Sequence, residues 1–257
     1  MLEFNIAEIE TLVASYLLPL FRITAFLSVV PIIGTRMVQG RIRLLLSLMI
    51  TAIVAPLLPP LDFVPGFNGA TIVAVIQEVL IGILMGFILQ VFFHLFVIAG
   101  QIMAMQMGLG FASMIDPSNG VSVAVLSQLF VILTTLLFLS MDGHLVMIET
   151  MLDSFRRIPA GGEFLLASTG LQVVEQGTWM FAHALLISLP VVSALLIVNL
   201  AFGVMTKAAP QLNVFSLGFP TAVVLGSVFL WFGLSGFAEL FQQLLDMTLR
   251  DMTTFGS

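Results

Sequence analysis

The sequence predicts an all-α membrane protein built on six long hydrophobic segments, and three observations carry that expectation. Of its 257 residues 60% are hydrophobic and 9% charged, with a mean hydropathy of +1.16. A soluble fold needs far more charge to cover its surface. Stretches free of Asp, Glu, Lys and Arg run for 31 residues between Glu175 and Lys207, 31 between Lys207 and Glu239, 37 between Glu78 and Asp116, and 25 between Asp116 and Asp142. Each exceeds the roughly 20 residues with which a helix crosses about 30 Å of hydrocarbon.

Taken in order, the segments fall near 11–33, 43–61, 70–99, 121–141, 177–206 and 212–238. The first contains Arg22, and the second ends in the breaker cluster Pro56, Pro59 and Pro60. The third carries Glu78 near its start and Gly82 and Gly86 as a GxxxG step, which permits close helix approach but is a weak motif in any apolar segment. Gln90, His94 and Gln101 lie within about 40° of one another on a helical wheel. Together with Arg22 and Glu78 they are expected as buried polar groups, because such side chains are costly against lipid. They bond neighbouring helices or line a hydrated path. Pro190 is expected to interrupt the fifth segment, while Pro210, Gly218 and Pro220 bracket the entry to the sixth.

The hydrophilic parts are short. Residues 142–176 suggest an amphipathic helix and a turn at Pro159–Gly162, and the last stretch, ELFQQLLDMTLRDMTTFGS, suggests an interfacial helix. Neither could fold alone, so the chain is expected to be one domain, 1–257. The N-terminus MLEFNIAEIE has three acids where a cleavable signal would be positive, and the first helix is expected to serve as its own insertion signal. Arg36, Arg41 and Arg43 place the first turn in the cytoplasm, whereas Arg156, Arg157 and Arg250 favour the opposite face of a six-pass chain, so the positive-inside rule divides.

Several functions are disfavoured. Zero cysteines exclude disulfides and thiolate metal sites, and His94, His144 and His183 are too far apart in sequence to suggest a metal centre. No phosphate-binding glycine loop is present, and the net charge of −6 argues against nucleic acid. GLSG at 233–236 matches a serine pattern of rhomboid proteases, but every histidine precedes Ser235, where that family needs a later one as base. The chain is expected to be neither an enzyme nor a cofactor carrier.

The most unusual stretch is GQIMAMQMGLGFASMIDPSNG, residues 100–120, with Met103, Met105, Met107 and Met114 among glycines and no charge before Asp116. QMGLGFASMIDP at 106–117 and APQLNVFSLGFP at 209–220, with MDGH at 141–144 between them, resemble the flagellar branch of the FliR/SctT export-gate family of type III secretion systems. The likeness spans essentially the whole chain. It implies bent helical hairpins packed with FliP and FliQ into a pore complex of the bacterial inner membrane and flagellar basal body. It further implies cooperation with FlhA and FlhB, and unfolded flagellar subunits as cargo. By that resemblance Met103, Met105, Met107, Gly108, Gly110, Phe111 and Met114 would form a plug in the pore, ended by Asp116 and Pro117. Methionine suits a deformable seal because its side chain is unbranched and polarizable. Gly82, Gly86, Pro210, Gln211, Asn213, Gly218 and Pro220 are expected to set assembly geometry. An injectisome gate and a secondary transporter of a small solute remain the alternative readings.

Overall fold

A computed structural model describes residues 6–35, 38–59, 61, 66, 68–110, 125–162, 166–208 and 214–254. All the regular elements among them are helical: α1 (Ile6–Val29), α2 (Gly40–Val54) with a short 3-10 turn after it, α3 (Gly69–Gln106), α4 (Val125–Ser140), α5 (Gly143–Arg157), α6 (Leu166–Ala208), α7 (Val214–Gly233), a 3-10 turn at Leu234–Gly236, and α8 (Phe237–Thr254). Among the described residues five helical stretches are long and apolar enough to cross a membrane, and a sixth span results if α4 and α5 count as one broken helix. The chain is an all-α membrane protein.

Several boundaries differ from those expected. The third segment runs on to Gln106. The fifth begins at Leu166, eleven residues early (177 − 166), with Glu175 and Gln176 inside the helix. Polar side chains lower hydropathy without breaking helical hydrogen bonds, so a hydropathy boundary is not a helix end. Pro190 does not interrupt α6, and Pro19 likewise lies within α1. A proline removes one hydrogen bond, a loss that transmembrane helices tolerate through their neighbours. Gly218 and Pro220 fall in the first two turns of α7 and not at its entry, while Pro210, Gln211 and Asn213 lie outside the described residues. The expected helix at 142–176 is α5, followed by the turn whose Gly162 amide donates to the Pro159 carbonyl at 3.0 Å.

Two compact units divide the chain. The first comprises residues 1–91, 142–176 and 246–257. Its buried side chains include Leu18, Ile23, Phe26, Met85, Met151 and Phe155. Asn68 caps the start of α3, its Oδ1 accepting from the Thr71 amide at 3.0 Å. At the far end of α8 the Arg157 guanidinium donates to the carbonyls of Met252, at 3.1 Å, and Thr253. One of the charges weighed in the topology vote is therefore engaged in closing a helix C-terminus, where a cation is favoured.

The second unit comprises residues 92–141 and 177–245. Its centre is aromatic. Phe92 meets Phe96 and Phe241 with ring centroids 5.4 and 5.3 Å apart, and Phe237 meets Phe96 and Phe130 at 5.4 and 5.5 Å, all edge to face. That arrangement lets ring edges meet ring faces and adds about 0.5–1.5 kcal/mol per pair beyond burial. Phe237 and Phe241 come from the apolar face of α8, whose Leu244, Leu245 and Met252 are also buried. The helix expected to lie on lipid thus spends its apolar face within the chain, and its polar face is turned outward.

Candidate functional site

Two places gather the residues singled out by the sequence. The first lies in the first unit, around Arg22 and Glu78, both fully buried. Arg22 Nε donates to Glu78 Oε2 at 2.7 Å and Arg22 Nη2 to Glu78 Oε1 at 2.9 Å, a two-pronged ion pair between α1 and α3. Such forked pairs are the strongest an arginine makes. Arg22 Nη1 also donates to Ser154 Oγ at 3.2 Å, and the guanidinium sits 4.1 Å from the centroid of the Phe155 ring. Glu78 Oε1 accepts in addition from the Gly161 amide at 3.1 Å, which a left-handed backbone at Gly161, φ 77°, presents to it. Both charges are thus paired and further hydrogen-bonded, the condition for burying ions without a large penalty.

Gly82 makes this site possible. A Cβ there would stand 2.3 Å from the Arg22 carbonyl oxygen and 2.9 Å from Ala25 Cβ. At Gly86 it would stand 3.0 Å from Val29 Cβ. The GxxxG step therefore marks the crossing of α1 and α3, as the small-residue argument expects. Of the other polar groups expected to be buried, Gln90 is half-buried, whereas His94 and Gln101 are exposed. The described part of the chain covers Phe92, Leu95, Phe96 and Ala99 beside them but leaves the face of α3 that carries His94 and Gln101 exposed, so its own packing does not supply that burial.

The second place is the end of α3, in the second unit. The Leu109 amide donates to the Ala104 carbonyl at 2.9 Å and the Gly108 amide to the Met105 carbonyl at 3.0 Å. With Gly108 at φ 81° this is a Schellman ending, in which a left-handed glycine satisfies the last carbonyls. Gly108 is thus a built stop, and a Cβ on it would also meet the Phe219 ring at 2.9 Å. Met103 and Met107 are buried, while Met105 is 67% exposed. A Cβ at Gly226 on α7 would stand 2.6 Å from Met107 Cγ. Met107 is buried and its Cγ lies close to its own backbone, so Gly226→Ala should cost about 1–3 kcal/mol, read as a drop in melting temperature. Phe111, Met114, Asp116 and Pro117 lie outside the described residues, and Gly110 is half-buried at the edge of that stretch.

Close to Met103 is an apolar cavity of about 560 Å³ lined by Phe130, Pro190, Val191 and Phe237 among others. It borders the GLSG turn. Ser235 Oγ there donates to the Phe232 carbonyl at 2.8 Å, a local bond typical of helical serines. Neither the Asn68 cap nor the Gly161 bond had a clear signal in the sequence, since one depends on a turn and the other on a partner 83 residues away.

Comparison with known proteins gives this arrangement a family. The model of bacterial export proteins, family 1, matches residues 13–248. A flagellar biosynthetic protein FliR of Escherichia coli K12 is 39% identical over 82% of this chain and 80% of its own length. One from Pectobacterium carotovorum is 35% identical over the whole of both chains, and one from Aquifex aeolicus 29% identical over 86% and 85%. With its helical architecture and a match over nearly its full length, the chain belongs to the FliR family of bacterial export proteins, membrane components of the flagellar export apparatus.

Proposed function

We propose that the chain, as a single export-gate domain spanning 1–257, joins FliP and FliQ in a pore that passes unfolded flagellar subunits across the bacterial inner membrane at the basal body, alongside FlhA and FlhB. One observation carries this reading: α6 has more exposed apolar length than a bilayer can cover. Exposed apolar side chains recur along this helix from Leu171 to Met205, about 51 Å at the helical rise of roughly 1.5 Å per residue. The hydrocarbon core is about 30 Å thick. Fitting one into the other needs a tilt of about 50°, beyond the roughly 0–40° seen for membrane helices. Yet Phe181, Leu185, Leu196, Ile197, Leu200 and Val204 along its length are all exposed. Apolar surface emerging from lipid has to be covered by protein, and other chains of the apparatus are the coverings this family offers. The flagellar version of the gate is favoured over the injectisome version by the names of the relatives.

Within that pore the segment after α3 is the natural plug. Met105 is presented outward at its start, and Phe111 and Met114 follow beyond the Schellman stop. Met103 and Met107 serve by packing behind it. Asp116 and Pro117 end the excursion.

Co-expression with FliP and FliQ, purification by a tag on this chain alone and native mass spectrometry test the reading. A discrete heteromeric complex is the expected result, and shortening residues 108–116 should then let ions leak through it. Recovery of this chain alone, or only with copies of itself, would overturn the pore and bring forward the solute transporter.

A further inference from the structure

We propose that α5 is a strap with two positions, and that the Arg22–Glu78 pair is the latch that holds it down on α1 and α3. The strap is jointed at both ends. Asp142, at φ 55°, stands in a short break before it, and Gly161, at φ 77°, stands in the turn after it. Each is a single left-handed residue in a stretch where the helical ladder stops, so α5 is a separate rigid segment between two changes of chain direction. Between the joints α5 is amphipathic. Gly143, Met147, Thr150, Met151, Ser154 and Phe155 face inward, and Leu145, Glu149, Arg156 and Arg157 are exposed.

In water the buried apolar face alone would hold such a helix in place. At a membrane it does not decide the matter, because lipid is as good a host for Met147, Met151 and Phe155 as another helix is. An amphipathic helix with charged groups on its other face is also at home in the interface. What lipid cannot replace are the polar fastenings. Arg22 donates to Ser154 within the strap at 3.2 Å and stacks at 4.1 Å on Phe155, while Glu78 accepts from the Gly161 amide just past it at 3.1 Å. The latch therefore grips the strap on the helix and at its far joint. Ser154 Oγ is held in turn by the Met151 carbonyl at 2.6 Å, so its direction toward Arg22 is fixed. Contacts that share two buried charges form or break together, which makes the strap two-state. The Arg157 bond to the end of α8 tethers the strap and limits how far it travels when open.

The chain has no cysteine, so introduced thiols are its only labelling sites. Spin labels at Glu149→Cys and Ile72→Cys would report the strap against α3, and labels at Leu12→Cys and Ile72→Cys would report α1 against α3. Leu12, Ile72 and Glu149 are all exposed, so labelling leaves the core intact. Pulsed dipolar spectroscopy would be run on the full chain in lipid nanodiscs, with and without Arg22→Met/Glu78→Met. That double variant leaves no lone buried charge, so its recovery is expected to stay near that of the parent, but it offers nothing to Ser154 or to Gly161. The expected result is a narrow 149–72 distance in the parent that loses most of its amplitude to a second population in the double variant, with the 12–72 distance unchanged. A 149–72 distance that stays narrow in the double variant would mean apolar packing alone holds the strap and would overturn the latch. Broadening of both distances together would overturn the separable strap.

Discussion

Arg22→Met alone should cut the recovery of folded chain from membranes at least tenfold, whereas Arg22→Met/Glu78→Met should restore most of it. The single variant leaves the Glu78 carboxylate, 1% exposed, facing a methionine with only the Gly161 amide as a partner. Breaking a buried pair from one side typically costs about 3–5 kcal/mol, because the remaining charge cannot be rehydrated where it stands. A loss of that size is a large share of the roughly 5–15 kcal/mol by which proteins of this size are stable. The double variant removes both charges and fills the space with apolar atoms, which is often neutral relative to the intact pair. Thermal melting of the purified chain and its level in membranes by immunoblot would both read the effect. A double variant as poor as the single one would show that the cost lies in lost shape and not in a stranded charge.

That contrast also marks how far the sequence could be read. The membrane class and most of the spans were legible because bilayer thickness sets the least uncharged length a span must have, whereas the GxxxG step at Gly82 and Gly86 was a weak signal that only the position of α1 against α3 makes specific. Arg22 and Glu78 could be named as costly and therefore buried. Their pairing could not be read, because 56 residues separate them and a buried arginine has many acids to choose from. Helix ends were misplaced for a related reason. Glu175 and Gln176 lower hydropathy while sitting comfortably inside α6, and Pro190 marks a lost hydrogen bond without ending anything. The long hydrophobic face of α8 was read as a lipid contact, when its period of burial could equally serve the cluster of phenylalanines it meets. At His94 and Gln101 the polarity was plain but the surface that would cover them is not supplied by the described part of this chain. As for the methionine-rich segment, its composition was legible, and the use of Met103 and Met107 in packing was not, since periodicity cannot say which neighbour fills the space beside a side chain.

Gly82→Ala should be nearly as damaging as losing one charge of the pair, and Gly82→Leu should abolish recovery of the chain. A new Cβ at 82 would lie 2.3 Å from the Arg22 carbonyl oxygen and 3.0 Å from the Phe26 amide nitrogen, so the obstacle is the backbone of α1. Side chains can change rotamer to make room; a helix backbone has to translate. Overpacking of this kind costs about 1–3 kcal/mol where neighbours can shift. Here the shift carries Arg22 with it and stretches contacts now at 2.7 and 2.9 Å, so the two penalties are coupled and exceed their simple sum. Gly177→Ala, where a Cβ meets nothing within 4 Å, serves as the matched control and should be neutral or stabilising by up to about 1 kcal/mol, since glycine is the poorer helix former. Trimming Ala25 to glycine in the Gly82→Ala background supplies the decisive comparison. It clears the one side-chain atom, at 2.9 Å, but leaves the carbonyl in place. Continued failure is the expected outcome, while rescue by Ala25→Gly would mean that a side chain and not the helix backbone sets the approach of α1 to α3, and the account of Gly82 given above would fall.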